Sequence, residues 1–174
     1  MVALAQPSAV ANARGGASLT MAIRRIERDL DGGARRVAIV QSRFNAAIGE
    51  GLLAGALRAL AEAHVDNERI TLVTVPGALE APLALQRLAQ SGSYDALVAL
   101  GAVIRGDTYH FDIVATESAA GVASVQLEFG IPIGNGILTC DTEAQAEARM
   151  DAKGYEAAMA AIELANLLGA IGER

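Results

Sequence analysis

A chain of 174 residues with 52% hydrophobic side chains is the size of one domain and can bury a sizeable core, built largely on small side chains because it holds only three Phe, three Tyr and no Trp. A formal charge of −6 argues against nucleic acid as the main partner, since backbone binding needs clustered Lys and Arg, yet it leaves room for one local anion pocket. The lone cysteine, Cys140, excludes an intrachain disulfide, and no apolar run reaches the roughly 20 residues of a membrane-spanning helix.

Residues 1–26 carry Arg14, Arg24 and Arg25 and no acidic residue. Two readings stand: a flexible extension covering residues 1–33, or an organelle-targeting segment, which is basic and acid-poor. A secretory signal fits poorly, because the Ala-rich residues 1–11 lack a basic start. The folded domain is expected over residues 34–174, in the cytoplasm.

Val37-Ala38-Ile39-Val40 reads as a short buried strand, followed by a loop at Ser42-Arg43-Phe44-Asn45. Leu53, Leu57 and Leu60 then recur at helical spacing opposite Arg58 and Glu62, with Asn45 placed to cap that helix. Ile70 to Val75 is β-branched and reads as a second strand, stopped by Pro76-Gly77. The pattern predicts a helix over 79–89, a strand over 95–100, a loop over 101–108 and a long helix over 109–128. A fourth strand over 131–138 and helices over 142–151 and 154–169 complete the chain. Strands alternating with helices imply right-handed βαβ units and a parallel sheet covered by helices. Ligands of such sheets bind beyond the carboxyl ends of the strands, so the loops 42–45, 76–80 and 101–108 are the places to look.

The run from Gly101 to Phe111 is the most informative. Gly106 admits close backbone approach, Thr108 adds a hydroxyl, and the helix start that follows offers unpaired N–H groups to an anion. His110 in that first turn can shuttle protons near neutral pH, or merely pack behind a cap made by Asp107 or Thr108. Phe44 can stack on a planar ring or fold back onto the core. Glu80 can accept hydrogen bonds from a polyol or stabilise its own helix. Arg149, near the end of a helix, has the planar fork that binds phosphate, although most helical arginines are simply solvated. His64 reads as a structural cation at a helix end. His64, His110 and Cys140 are too far apart for a metal motif. Gly49-Glu50-Gly51-Leu52-Leu53-Ala54 matches a dinucleotide pattern but lies within helical periodicity, not at a strand end, and reads as a small-residue packing face.

Taken together, Ser42–Asn45, Val75-Pro76-Gly77-Ala78-Leu79-Glu80-Ala81-Pro82, Leu100 to Asp112, Gly136-Ile137-Leu138-Thr139, Gln145-Ala146, Arg149 and Lys153-Gly154 resemble the lumazine synthase family in order and spacing from about residue 35 to 170. The resemblance implies a three-layer α/β sandwich with a four-stranded parallel sheet, flavodoxin-like and homopentamer-forming. It implies condensation of 5-amino-6-(D-ribitylamino)uracil with 3,4-dihydroxy-2-butanone 4-phosphate, with no cofactor and no metal. A flavin- or lumazine-binding or shell-forming scaffold of the same fold is the non-catalytic alternative. Carried over by residue, Phe44 stacks on the pyrimidine beside Asn45. Ala78, Leu79 and Glu80 meet the ribityl chain, and Ala102, Val103 and Ile104 line the ring. Gly106, Asp107, Thr108 and Arg149 hold the phosphate, and His110 moves protons. Asn135, where many members have Phe, and Arg149 come from the neighbouring subunit, and higher assembly or association with a riboflavin synthase is open.

Overall fold

The computed structural model describes residues 23–172; the greater part of the extension and any targeting role of residues 1–22 lie outside the described residues. Four strands, β1 Val37–Ser42, β2 Ile70–Val75, β3 Ala96–Ile104 and β4 Ile133–Cys140, form one sheet in the order β2-β1-β3-β4 with every pairing parallel. Between and after them run α1 Ala46–Glu62, α2 Ala81–Gln90, α3 His110–Phe129, α4 Glu143–Glu147 and α5 Met150–Gly172, with 3-10 turns at Asn67–Arg69 and Ala78–Glu80. Because side chains alternate along a strand, Val37 and Ile39 enter one core with Leu52, Leu60, Ala158 and Ile162 of α1 and α5. Ala38 and Val40 enter the other with Leu85 and Val122 of α2 and α3. The result is the expected three-layer, flavodoxin-like α/β sandwich. No helix among the described residues is long and apolar enough to cross a membrane.

Several element boundaries differ from the sequence reading. Strand β1 runs two residues further, through Gln41 and Ser42, which are polar yet buried. Strand β3 continues to Ile104, so the first four residues of the expected 101–108 loop are strand, paired as far as Ile104↔Cys140. Gly101 does not break it: a Cβ there would lie 2.9 Å from the Cβ of Ser42, so the glycine makes room for the neighbouring strand's side chain. Strand β4 starts after Pro132, whose carbonyl still accepts the Leu97 N–H at 2.9 Å, and ends at Cys140. The break between the last two helices falls at Ala148-Arg149 and not at Ala152-Lys153.

Gly154 lies inside α5 because a close helix crossing needs it there. A Cβ at Gly154 would overlap the Leu52 carbonyl, and one at Gly55 would overlap the Asp151 carbonyl, so α1 and α5 meet backbone to backbone. Gly51 faces Met150 across the same contact, in keeping with a packing role for the dinucleotide-like glycines. At the solvent edge Arg58 closes the pair with a two-pronged bond to Asp151 at 2.7 and 2.9 Å. Ahead of the sheet, Asn166 of α5 donates to the Asp29 and Asp31 carbonyls and accepts from Arg35 Nε, which lays residues 29–35 along α5. Replacing Gly154 by Ala should destabilise the fold by about 1–3 kcal/mol through overpacking against immobile backbone, read as a lower midpoint in urea unfolding.

Candidate active site

The chain leaves β1 for β2 on one side and returns to β3 on the other, so a crevice opens beyond the carboxyl ends of β1 and β3. A cavity of about 440 Å³ occupies it, lined from three connections. The first connection contributes Phe44 and Asn45. Backbone bonds from Arg43 N to the Val75 carbonyl (2.9 Å) and Phe44 N to the Pro76 carbonyl (3.1 Å) tie it to the end of β2. Phe44 is 71% exposed, which decides between its two readings: the ring faces the cavity mouth and is not folded into the core.

Asn45 adopts a left-handed conformation (φ 58°, ψ 52°), one that Asn tolerates better than most residues. Its side chain does not cap α1, contrary to expectation, and Nδ2 instead donates to the Ala102 carbonyl at 2.9 Å. That bond fixes the β1 loop to β3 across the crevice.

From the second connection come Gly77, Ala78, Leu79 and Glu80, with Ala78 buried and the others at the surface of the cavity. Glu80 closes the 3-10 turn ahead of α2 and caps no backbone N–H with its side chain. A Cβ at Gly77 would come within 3.0 Å of Glu80 Oε2, so the glycine leaves that carboxylate room to turn inward. The third connection supplies Ala102, Val103 and Ile104 at the end of β3, then Gly106, Thr108 and, from α3, His110, Phe111 and Val114. Asp107 is exposed and does not line the cavity. Neither Asp107 nor Thr108 caps α3: the cap position is Tyr109, with no side-chain bond, and in the first turn the Asp112 N–H bonds the Tyr109 carbonyl at 3.1 Å. His110 is the first residue of α3, exposed, and its imidazole has no hydrogen-bond or ion-pair partner among the described residues.

Asn135 and Arg149 lie elsewhere. They line a separate hollow of about 390 Å³ along the edge strand β4, with Thr139, Gln145 and Lys153. Asn135 Oδ1 accepts the Ile137 N–H at 3.0 Å, so the carboxamide NH2 is the end left for a partner. Arg149 sits in the short break between α4 and α5, just past the end of α4, and spends one N–H on the Gln145 carbonyl at 2.8 Å. Lys153 pairs with Glu156 at 2.5 Å.

Sequence reasoning did not single out Arg105. Its Nε bonds Asp141 at 2.8 Å, its Nη1 reaches Asp112 at 3.4 Å, and its guanidinium lies 4.1 Å from the centre of the Phe111 ring. The hydrogen bond to Asp141, helped by the charge of Asp112, holds the guanidinium above its ordinary pKa, so it is cationic at any working pH. Its strand-end position could have been read from sequence; its partner, 36 residues away, could not. His64, with φ 61°, ends the α1 turn with Nδ1 3.5 Å from Asp31, in agreement with a structural role.

A parallel, flavodoxin-like α/β sheet carries an open cavity at its switch point, rimmed by an aromatic, a carboxylate and an imidazole, and this is the candidate site. The 6,7-dimethyl-8-ribityllumazine synthase family profile matches residues 34–169, and the chain belongs to that family of transferases in riboflavin biosynthesis. It is 54% identical to the Cupriavidus metallidurans 6,7-dimethyl-8-ribityllumazine synthase over 145 residues, 83% of this chain and 86% of the relative. With the enzyme of the same name from Nitrosomonas europaea it shares 55% identity over 148 residues, 85% of this chain and 90% of the relative.

The Asn45 bond gives a test that needs no substrate. Asn45→Gly keeps the left-handed backbone and loses only the bond to Ala102, an expected cost of about 1 kcal/mol. Asn45→Ala loses the bond and strains the backbone, an expected cost of about 2 kcal/mol in chemical unfolding.

Proposed function

We propose that this chain condenses 5-amino-6-(D-ribitylamino)uracil with 3,4-dihydroxy-2-butanone 4-phosphate to 6,7-dimethyl-8-ribityllumazine, releasing phosphate and water. One observation carries the reading: a single cavity gathers Phe44, Glu80 and His110 from three separate connections, while Arg149 waits in a second hollow. The reaction needs a platform for a planar ring, a reader of the polyol, a proton carrier and a phosphate clamp. The two hollows together offer all four.

In this reading Phe44 stacks on the pyrimidine, with Asn45 holding its loop against β3. Ala78, Leu79 and Glu80 take the ribityl chain, Glu80 accepting from its hydroxyls. Val103 and Ile104 lie along the ring with the backbone of Ala102. Gly106 and Thr108, with the uncapped first turn of α3 behind them, meet the phosphate-bearing substrate, and Asp107 borders them from the exposed side. The amine attacks the ketone, the carbinolamine loses water to an imine, phosphate leaves, and ring closure expels a second water. His110 carries protons between these steps, and its lack of partners among the described residues suits that task. No electron changes hands, so the reaction calls for neither nicotinamide nor flavin. Arg149 clamps the phosphate with its remaining N–H groups, and Asn135 presents its NH2 to the ring.

Because Arg149 and Asn135 line a different hollow from His110, the complete site takes one half from each of two subunits. We assign the assembly as the homopentamer of the family, in the cytoplasm. A ring closed by head-to-tail contacts sets the His110 half of each subunit against the Arg149 half of the next.

Absorbance and fluorescence after mixing the protein with both substrates, beside a no-enzyme blank, test the activity. The parent should form lumazine faster than the blank, His110→Ala should lower kcat, and Arg149→Ala should raise KM for the phosphate substrate about 10- to 100-fold, the equivalent of one lost charged bond of about 1.5–3 kcal/mol. Binding of product without turnover would instead mark a non-catalytic scaffold. Shared sites have their own signature. Subunits carrying His110→Ala and Arg149→Ala, mixed in equal amounts and reassembled, should recover about a quarter of parent activity, because a quarter of the junctions pair two intact halves. No recovery would place both residues in one subunit's site.

A further inference from the structure

The first turn of α3 carries His110 but has no anchor of its own. Its cap residue, Tyr109, makes no side-chain bond, and His110 has no partner among the described residues. What reaches the turn from outside is Arg105. Its guanidinium covers the Phe111 ring at 4.1 Å and contacts Asp112 at 3.4 Å, so it holds the two residues that follow His110. From the same group Nε bonds Asp141 at 2.8 Å, directly beyond the end of β4. The backbone prepares this geometry, since Arg105 N bonds the Cys140 carbonyl at 2.9 Å. Asp141 in turn gives its N–H to Gln145 Oε1 at 3.0 Å, and the Gln145 carbonyl receives Arg149 Nη1 at 2.8 Å. A continuous set of contacts therefore runs from the turn bearing His110 to the residue lining the second hollow.

We propose that Arg105 is a positioning residue, which fixes the His110 turn of α3 relative to the β4–α4 corner and so holds a subunit's two half-sites in one geometry. The proposal rests on the functional reading above, in which those halves serve neighbouring sites. Only a guanidinium fits the place. It meets two carboxylates from different elements along its edges while its face covers a ring, and a lysine ammonium can satisfy one of these at a time. The ion pairs are half exposed, so their share in overall stability is small. Their effect falls on where His110 stands.

Arg58 supplies a matched control. It too bonds a carboxylate, Asp151, and lies over an aromatic ring, Tyr155 at 5.2 Å, with similar exposure, but on the α1–α5 rim away from the cavity. Arg105→Met should lower kcat roughly ten- to a hundredfold with KM moved much less, while Arg58→Met keeps parent kcat. Arg105→Lys should stay close to the Met variant, because charge without the fork does not rebuild the clamp. Adding Asp141→Asn to Arg105→Met should cost nothing further, as for two members of one unit. Parent kcat in Arg105→Met, full rescue by Lys, or independent losses in the double variant would each overturn the proposal. If Arg105→Met fails to assemble, Asp141→Asn and Asp112→Asn each remove one arm and should still lower kcat several-fold; parent kcat in both overturns it.

A readout free of the reaction separates the two proposals. The chain has only two histidines, so ring-13C-labelled protein gives two signals, with His64 as internal reference. The His110 signal should move in Arg105→Met and stay in place in Arg58→Met, even if the parent turned out to make no lumazine. A parent without turnover would overturn the functional reading alone, and an unmoved His110 signal would overturn the positioning role alone.

Discussion

Strand β3 is the member on which the molecule depends. It pairs with β1 on one side and β4 on the other, and its residues from Ala96 to Val103 are buried on both faces. A strand enclosed in this way has no freedom of register, because a shift by one residue would exchange the two cores. Everything chemical hangs from its far end. Ala102, Val103 and Ile104 line the cavity, Arg105 reaches for β4 and α3, and α3 begins five residues later with His110. The Asn45 bond to the Ala102 carbonyl pins the other wall of the cavity to the same strand. A mobile loop at 101–108 could not have given the imidazole so defined a place; four of its residues are held by a ladder instead.

The second constraint is closeness. With so few aromatic side chains, the fold gains its core density by bringing backbones together. Gly55 and Gly154 let α1 and α5 touch, and Gly134 and Gly136 let α5 approach β4, where added Cβ atoms would meet Ala157. This compaction sets the position of α5, and with it the break at Ala148-Arg149 that puts Arg149 beside Gln145 and Lys153. Glycines that look like punctuation in the sequence are spacers in the fold.

That difference explains what was legible and what was not. The alternation of strands and helices followed from the apolar runs, since burial on both faces leaves a local signature at Val37–Val40 and Ala96–Leu100, whereas the strand order was not read from them. Of the residues gathered in the cavity, Phe44, Glu80, Gly106, Thr108 and His110 were legible from their places in the loops beyond the strands, whereas Ala78, Leu79 and Ala102–Ile104 were named only through the family resemblance and Val114 was not named at all. Gly101 was misread because a glycine kept for a neighbour's side chain is written identically to one kept for a turn. Asn45 was misread for a related reason: its sequence position is that of a cap, but its amide serves a strand 57 residues away. Arg105 went unnoticed because its meaning depends on Asp141, a partner that no local pattern connects to it.

The division of the polar set between two hollows has a physical consequence. In the proposed function Arg149 clamps the phosphate and His110 carries protons, and within one chain the two line separate hollows. Arg149 lies on the β4 edge and His110 at the head of α3. The geometry between the halves must therefore be kept by the protein framework instead of by direct contact. The Arg105 bonds to Asp141 and Asp112 lie on the short route between them, at the point where β3, α3 and β4 come together. In the assembly proposed above, the stiffness of that junction would set how faithfully each subunit presents its two half-sites to its neighbours.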